Sequence, residues 1–382
     1  MRKKLGLFVA IVTALITLSS IADDQAAIDS ALQRAQENRG QIEKALQEAP
    51  EDQAEGLRFL VRHMPERDLQ ELSAEFLLKN VKFAYQAWNE SPWKDRIPKE
   101  IFLNDVLPYA SINERRDDWR EDFMQRCKPL IKDAKSPSEA AALLNQKIFP
   151  LFKVKYSTER RRADQGPYES IESGLASCTG LTVLLIDACR SQGIPARFVG
   201  TPLWSDNSGN HSWVEVWDDG WHFTGAAEPT GNELDRAWFL GRASTADRQS
   251  RQNAIYATSW KQTPISFPLV WDPRIEYVRA VNVTDRYTNR GEKLPDGYVR
   301  VMFLVVQSGG ERLSAEIDIR DPDGTSVFTG RTNDERFDVN DHITTALPLG
   351  KKFQLQVKHD DHQQTLEFIV EKEAQLLTVE LK

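Results

Sequence analysis

Apolar residues recur at helical spacing through residues 23–150. Leu77, Val81, Ala84 and Trp88 fall on one face, and Pro65, Pro92, Pro98 and Pro108 punctuate the pattern. Ser136-Pro137-Ser138-Glu139 has the form of a capping box with proline at the first helical position, and predicts a helix through Ala140–Phe149. Trp119, Phe123, Cys127 and Ile131 share a helix face, which predicts that Cys127 is a buried free thiol. Residues 151–240 mix helical and strand patterns. Residues 241–271 are polar and then carry Pro and Trp, as a connector would. From Tyr277 onward the period becomes two. Leu313, Ala315, Ile317 and Ile319 alternate with polar residues, as do Phe353, Leu355 and Val357, and Leu377, Val379 and Leu381. Gly and Asp turns separate these runs, which predicts a C-terminal β-sandwich of about 100 residues.

The N-terminus adds a leader. Arg2-Lys3-Lys4 precedes an apolar run, Leu5–Leu18, and Ser20-Ile21-Ala22 supplies small residues before Asp23. This is the pattern of a signal peptide, and the run is short for a span of roughly 20 residues. Export to the periplasm or medium is therefore expected, with no stable membrane anchor after cleavage. Of the 49 basic residues the leader holds three and no acid, so the mature chain carries 46 against 57 acidic residues, a net charge of −11. That balance, without a basic stripe, argues against a nucleic-acid partner. Cys127, Cys178 and Cys189 are an odd set, so at least one thiol is unpaired.

Two of these cysteines share one helix. In "GLASCTGLTVLLIDACRSQGIPARFVG", Leu181, Leu184, Leu185 and Ala188 mark an apolar face, and Gly193-Ile194-Pro195 ends the helix. Cys178 opens it and Cys189 lies three turns on, separated by roughly 16 Å. A disulfide spans at most about 7 Å between Cα atoms, so these two cannot pair. Cys189 is expected in the core. Cys178 lies where free N–H groups and the positive dipole end favour a thiolate and could support an oxyanion. Alone, such a cysteine is more often inert than catalytic. Downstream, "HSWVEVW" alternates as a strand, Asp218-Asp219-Gly220 signals a hairpin, and His211 opens the strand after a polar loop.

Together these motifs resemble the transglutaminase-like superfamily. The family pattern is a catalytic Cys opening a helix, a "GIPAR" strand, a His in an H-x-W-x-E-V strand, and a G-W strand leading to an Asp. The counterparts here are Cys178, Gly193–Arg197, His211–Val216 and Gly220-Trp221. The resemblance covers about residues 140–240. It implies an α+β fold with a papain-like core between the helical region and the sandwich. The expected organisation is a leader over 1–22, helices over 23–135, the core over 136–250, a connector over 251–271 and the sandwich over 272–382. It also implies Cys178 and His211 as a catalytic pair acting on a carboxamide or peptide bond through a thioester. The substrate would be a protein or peptide, and no cofactor or metal is implied. Whether water or an amine resolves the thioester is not encoded in the motif; hydrolysis is slightly favoured.

One departure from the pattern matters. The place of the family's Asp is Gly225, and Glu228-Pro229-Thr230 follows like a displaced D-P-T. Glu228 is the expected third residue, with Asn232 and Asp235 as weaker alternatives. The competing reading is a non-catalytic binding module on a degenerate scaffold, for which Gly225 is the support. Three further signals carry less. "DIRDPDG" lacks the carboxylates of a calcium loop and reads as a hairpin turn. His359 and His362 sit in a second such turn. Trp204, Trp213, Trp217 and Trp221 read as sheet packing more than as a substrate groove.

Overall fold

The computed structural model describes residues 23–290, 294–372 and 374–381. The expected leader, residues 1–22, lies outside them. No helix among the described residues is long and apolar enough to cross a membrane.

The helix Cys178–Ser191 is the centre of the molecule. Every residue from Thr179 to Ser191 is buried, so its apolar face is not a stripe but the whole circumference. It packs on the helices Arg120–Cys127, Pro137–Phe152 and Ala74–Glu90, and on the strand His211–Trp217. In Ala74–Glu90 the residues at helical spacing, Leu77, Val81 and Ala84, point inward. Ser136 caps Pro137–Phe152, its Oγ accepting from Glu139 N at 3.2 Å. Glu139 reaches back one residue further than a capping box requires, to Lys135 N. Cys127 and Cys189 are fully buried, and all three cysteines are free. Gly193 ends the central helix at φ +71°, and an added Cβ would lie 2.7 Å from Ala87 O. Only glycine allows that close approach.

A six-stranded antiparallel sheet runs in the order Trp221–Thr224, His211–Trp217, Ala196–Thr201, Tyr256–Ser259, Arg279–Asn282, Ile265–Ser266. Both faces of its strands Ala196–Thr201 and His211–Trp217 are buried. Ala196, Phe198, Val214 and Val216 join the helices in the large core. Val199, Trp204, Trp213, Phe223, Phe239 and Tyr287 form an aromatic cluster on the other side. Trp204 and Trp213 are packing residues there. Trp217 and Trp221 meet edge to face at the hairpin.

The sheet corrects two expected boundaries. Residues 251–271 do not form a free connector, because Tyr256–Ser259 and Ile265–Ser266 are strands of the sheet, and Phe267 and Leu269 lie in the large core. The stretch after 272 does not begin with the sandwich, because Arg279–Asn282 also belongs to the sheet. These strands run from two to four residues, too short to show a period.

The sandwich strands start at Tyr298. Ser326–Arg331, Glu316–Arg320, Lys352–His359 and His362–Ile369 form one sheet; Ile343–Pro348, Tyr298–Gln307 and Gln375–Leu381 form the other. Ala315, Ile317, Ile319, Phe353, Leu355, Val357 and Val379 meet between them, as period two dictates. "DIRDPDG" is a hairpin turn in which Asp321 Oδ1 accepts from Asp323 N and Thr325 N. His359 and His362 face each other across the next hairpin.

One ionic cluster locks the core sheet. Glu215 is fully buried and accepts from Arg197 at 2.7 Å, Arg286 at 2.5 Å and Tyr287 OH at 2.8 Å. Arg197 and Glu215 are cross-strand neighbours, so the Arg of "GIPAR" and the Glu of the His strand form one structural pair. Removing one member leaves a buried charge, which costs about 3–5 kcal/mol. Glu215→Ala is expected to lower unfolding free energy by about that amount in denaturant titration. A loss below about 1 kcal/mol would mean that the cluster is a solvated ion pair.

Candidate active site

Cys178 and His211 approach because their neighbours are tied. Thr179 Oγ1 and Ser212 Oγ lie 3.2 Å apart in a buried contact between helix and strand. The residues beside them therefore meet at the helix start. The Cys178 sulfur, an imidazole nitrogen of His211 and a carboxylate oxygen of Asp338 lie within 4.8 Å of one another. Cys178 is half-buried and His211 is 1 % exposed.

Ser177 caps the cysteine helix, its Oγ accepting from Gly180 N at 3.3 Å and donating to Ala163 O at 2.8 Å. Leu181 N bonds Ser177 O. The N–H groups of Cys178 and Thr179 are the remaining first-turn donors that a developing oxyanion could use. Trp204, Trp213, Trp238 and Phe239 surround the His211 ring at centroid distances of 4.9–6.1 Å. Their apolar box excludes water from the imidazole.

Glu228 lies on the Nε2 side of His211, its Oε2 4.0 Å from that nitrogen. An added Cβ on Gly225 would overlap Glu228 Oε2 and lie 2.8 Å from its Cδ. The Glu228 carboxylate thus fills the space that a side chain at 225 would need. Asn145, buried on the helix Pro137–Phe152, sets this turn. Its Nδ2 donates to Gly225 O at 2.8 Å and to Thr224 Oγ1 at 3.0 Å, and its Oδ1 accepts from Ala227 N at 2.8 Å. Ala227 takes φ +63° to allow it, a left-handed conformation unusual for a residue with a Cβ.

The two weaker sequence candidates have other work. Asp235 bonds His222 Nδ1 at 2.7 Å and Arg290 at 2.6 Å. Asn232 accepts from Gln146 at 3.0 Å on the surface.

Asp338 was not anticipated. It comes from the loop between the sandwich strands Ser326–Arg331 and Ile343–Pro348, and its Oδ2 lies 3.5 Å from His211 Nδ1. Arg312 holds this loop by bonds to Asp338 O at 2.9 Å and Phe337 O at 2.6 Å. The loop docks on the core through Val339 N to Tyr156 OH at 2.9 Å and Asn340 Nδ2 to Asn210 O at 3.1 Å. No local motif in "ERFDVNDH" marks it, because its role depends on where the sandwich sits.

The charges are coupled. Burial lowers the His211 pKa, but Asp338, Cys178 and Glu228 outweigh it and hold the imidazole well above 6.5. Burial raises Asp338, yet His211 and Asn340 keep it below the usual carboxylate range. Burial pushes Glu228 up to about 7, with His211 opposing and Asp338 adding to the rise. The Glu228 side chain is 22 % exposed overall, but its Oε2 is enclosed, which is why burial dominates. Cys178, Glu228 and Asp338 all line a cleft of about 750 Å³, with Lys155, Tyr156 and Phe337 on its walls.

Residues 125–225 match the family model described as the transglutaminase-like superfamily. That stretch is similar to a transglutaminase-like core. The motif residues Cys178 and His211 fall inside that match. No curated protein matches the chain. Solved structures similar to parts of it include a candidate cysteine protease from Cytophaga hutchinsonii, 18 % identical, covering 30 % of this chain and 40 % of its own, with a TM-score of 0.26. A candidate protease from Parabacteroides distasonis is 10 % identical, covering 63 % and 36 %, also with a TM-score of 0.26. The TIE protein of Bacillus anthracis is 15 % identical, covering 50 % and 30 %, with a TM-score of 0.19. The chain spans less than half the length of each.

A pH prediction follows from Glu228. Its charge appears as pH rises through about 7, and the charged form supports the imidazolium beside the thiol. Alkylation of Cys178 by iodoacetamide is expected to accelerate through about pH 7, and Glu228→Gln is expected to remove that step. Persistence of the step in Glu228→Gln would assign it to another group.

Proposed function

We propose that this chain is an exported thiol hydrolase that cleaves a carboxamide or peptide bond in a protein or peptide substrate. The observation that carries the reading is an enclosed imidazole flanked by a helix-start thiol and two carboxylates, Asp338 and Glu228, all three of which line one cleft. In this reading the Cys178 thiolate attacks the carbonyl carbon, and the N–H groups of Cys178 and Thr179 support the oxyanion. The intermediate collapses, the C–N bond breaks, and the imidazolium of His211 gives its proton to the leaving amine. Neutral His211 then takes a proton from water as that water attacks the thioester. The carboxylic acid leaves and the thiol is restored. Glu228 orients the ring and stabilises its cationic form.

The binding-module reading rested on Gly225. That glycine is explained by the Glu228 carboxylate occupying its side-chain space, which favours the enzyme. The same substitution gives a test. Gly225→Asp alone is expected to slow Cys178 alkylation at neutral pH by about tenfold or more, because two carboxylates compete for one space; a tenfold change matches one pKa unit at the imidazole. Gly225→Asp combined with Glu228→Ala is expected to recover most of the rate that Glu228→Ala loses. Failure of the double variant to exceed Glu228→Ala would remove Glu228 from the role.

The activity itself is testable by mass spectrometry. Incubation with a peptide library is expected to trap a covalent adduct on Cys178 and release new carboxylates; with added amine, a hydrolase gives mainly acid. Cys178→Ala is expected to abolish both. A mature chain beginning near Asp23 in the periplasm or medium would support export.

A further inference from the structure

The His211 Nδ1 to Asp338 Oδ2 distance of 3.5 Å is long for a charge-assisted hydrogen bond, which measures about 2.7–2.9 Å. Both atoms are enclosed, and neither makes a hydrogen bond. They form an ion pair with each other, and a buried ion pair that falls short of a hydrogen bond is costly. Their separation does suit another arrangement. In a tetrahedral zinc site, bonds of about 2.0–2.2 Å to nitrogen and oxygen set those two atoms roughly 3.3–3.5 Å apart. The Cys178 sulfur completes the triangle within 4.8 Å. Ligation requires the sulfur to close the remaining gap.

We propose that Cys178, His211 and Asp338 bind a divalent transition metal ion of borderline softness, with zinc as the representative, and that the ion reversibly masks the thiol. One sulfur, one imidazole nitrogen and one carboxylate oxygen are a ligand set suited to zinc. Thiolate and carboxylate together balance its two positive charges. Cys178 and Asp338 both line the cleft, so a fourth, open position faces solvent. Glu228 stands on the Nε2 side of the ring at 4.0 Å, where a carboxylate commonly backs a metal-bound histidine. Binding releases the thiol proton and the Nδ1 proton to solvent, and the ion exchanges bound waters for the three donors. No oxidation is involved.

The site is assembled from two hydrophobic units. His211 belongs to the six-stranded sheet, Cys178 to the helix packed on it, and Asp338 to a loop of the sandwich. Its loop is already held by Arg312, Tyr156 and Asn210, so the third ligand is positioned before the ion arrives. The masking function rests on Cys178 being the nucleophile; the binding of the ion does not.

The experiment uses the full mature chain, stripped with a chelator and kept reduced. Titration with Co²⁺ is expected to give a thiolate-to-cobalt charge-transfer band saturating at one equivalent, and Zn²⁺ should displace it. Zn²⁺ should also slow alkylation of Cys178 at least tenfold, with recovery on adding chelator. Cys178→Ser should lose the band. Asp338→Ala and the near-isosteric Asp338→Asn should each weaken cobalt binding at least tenfold, with circular dichroism confirming that both fold. Absence of the band, or undiminished affinity in both Asp338 variants, would overturn the site. A chain that binds cobalt through these residues yet attacks no amide sinks the hydrolase reading alone. A working hydrolase whose alkylation ignores zinc sinks the metal site alone.

Discussion

A helix buried around its whole circumference can offer chemistry only at its ends, and Cys178–Ser191 is such a helix. Its C-terminal end is closed by Gly193 against Ala87. Its N-terminal end meets the start of the His211 strand, where the Thr179–Ser212 contact sets the separation. The helices around it and the sheet beneath it hold this one end in register. The buried cluster of Glu215, Arg197 and Arg286 serves the same purpose, fixing the pairing of the two strands that lie nearest the helix. A one-residue slip in that pairing would turn His211 to the opposite face.

Around the Cys178 thiol, the molecule encloses an imidazole and two carboxylates. His211 sits in an aromatic box and between two carboxylates, and their combined pull exceeds the cost of burying its charge. The price of this arrangement falls on Glu228, whose burial beside Asp338 raises its pKa to about 7. The charge state of the cluster is therefore a property of Cys178, His211, Glu228 and Asp338 together, not of any one of them.

The sandwich is more than an appendage to the core. Its loop reaches the cleft with Asp338 and is anchored from both sides, by Arg312 within the sandwich and by Tyr156 and Asn210 from the core. Whatever enters the cleft meets walls contributed by both units, Phe337 from the sandwich and Lys155 from the core.

Periodicity in the sequence was enough to mark residues 23–150 as helical, to place the Leu77–Trp88 face, the Ala140–Phe149 helix, the central Cys178 helix and the His211 strand with its hairpin, and to find three of the alternating sandwich strands. It was enough because burial of one face forces a repeat of 3.6 or 2 within a single element. It also indicated buried Cys127 and Cys189, since each falls on such a face. The short strands at Tyr256–Ser259 and Ile265–Ser266 escaped it, because two to four residues cannot display a period. The motif brought Glu228 forward, but its aim at His211 depends on Asn145, distant in sequence, clamping a left-handed Ala227. Asp338 had no sequence signal at all. Its place beside His211 is decided by how the sandwich docks on the core, and such packing between separate units is not written in the local pattern of either.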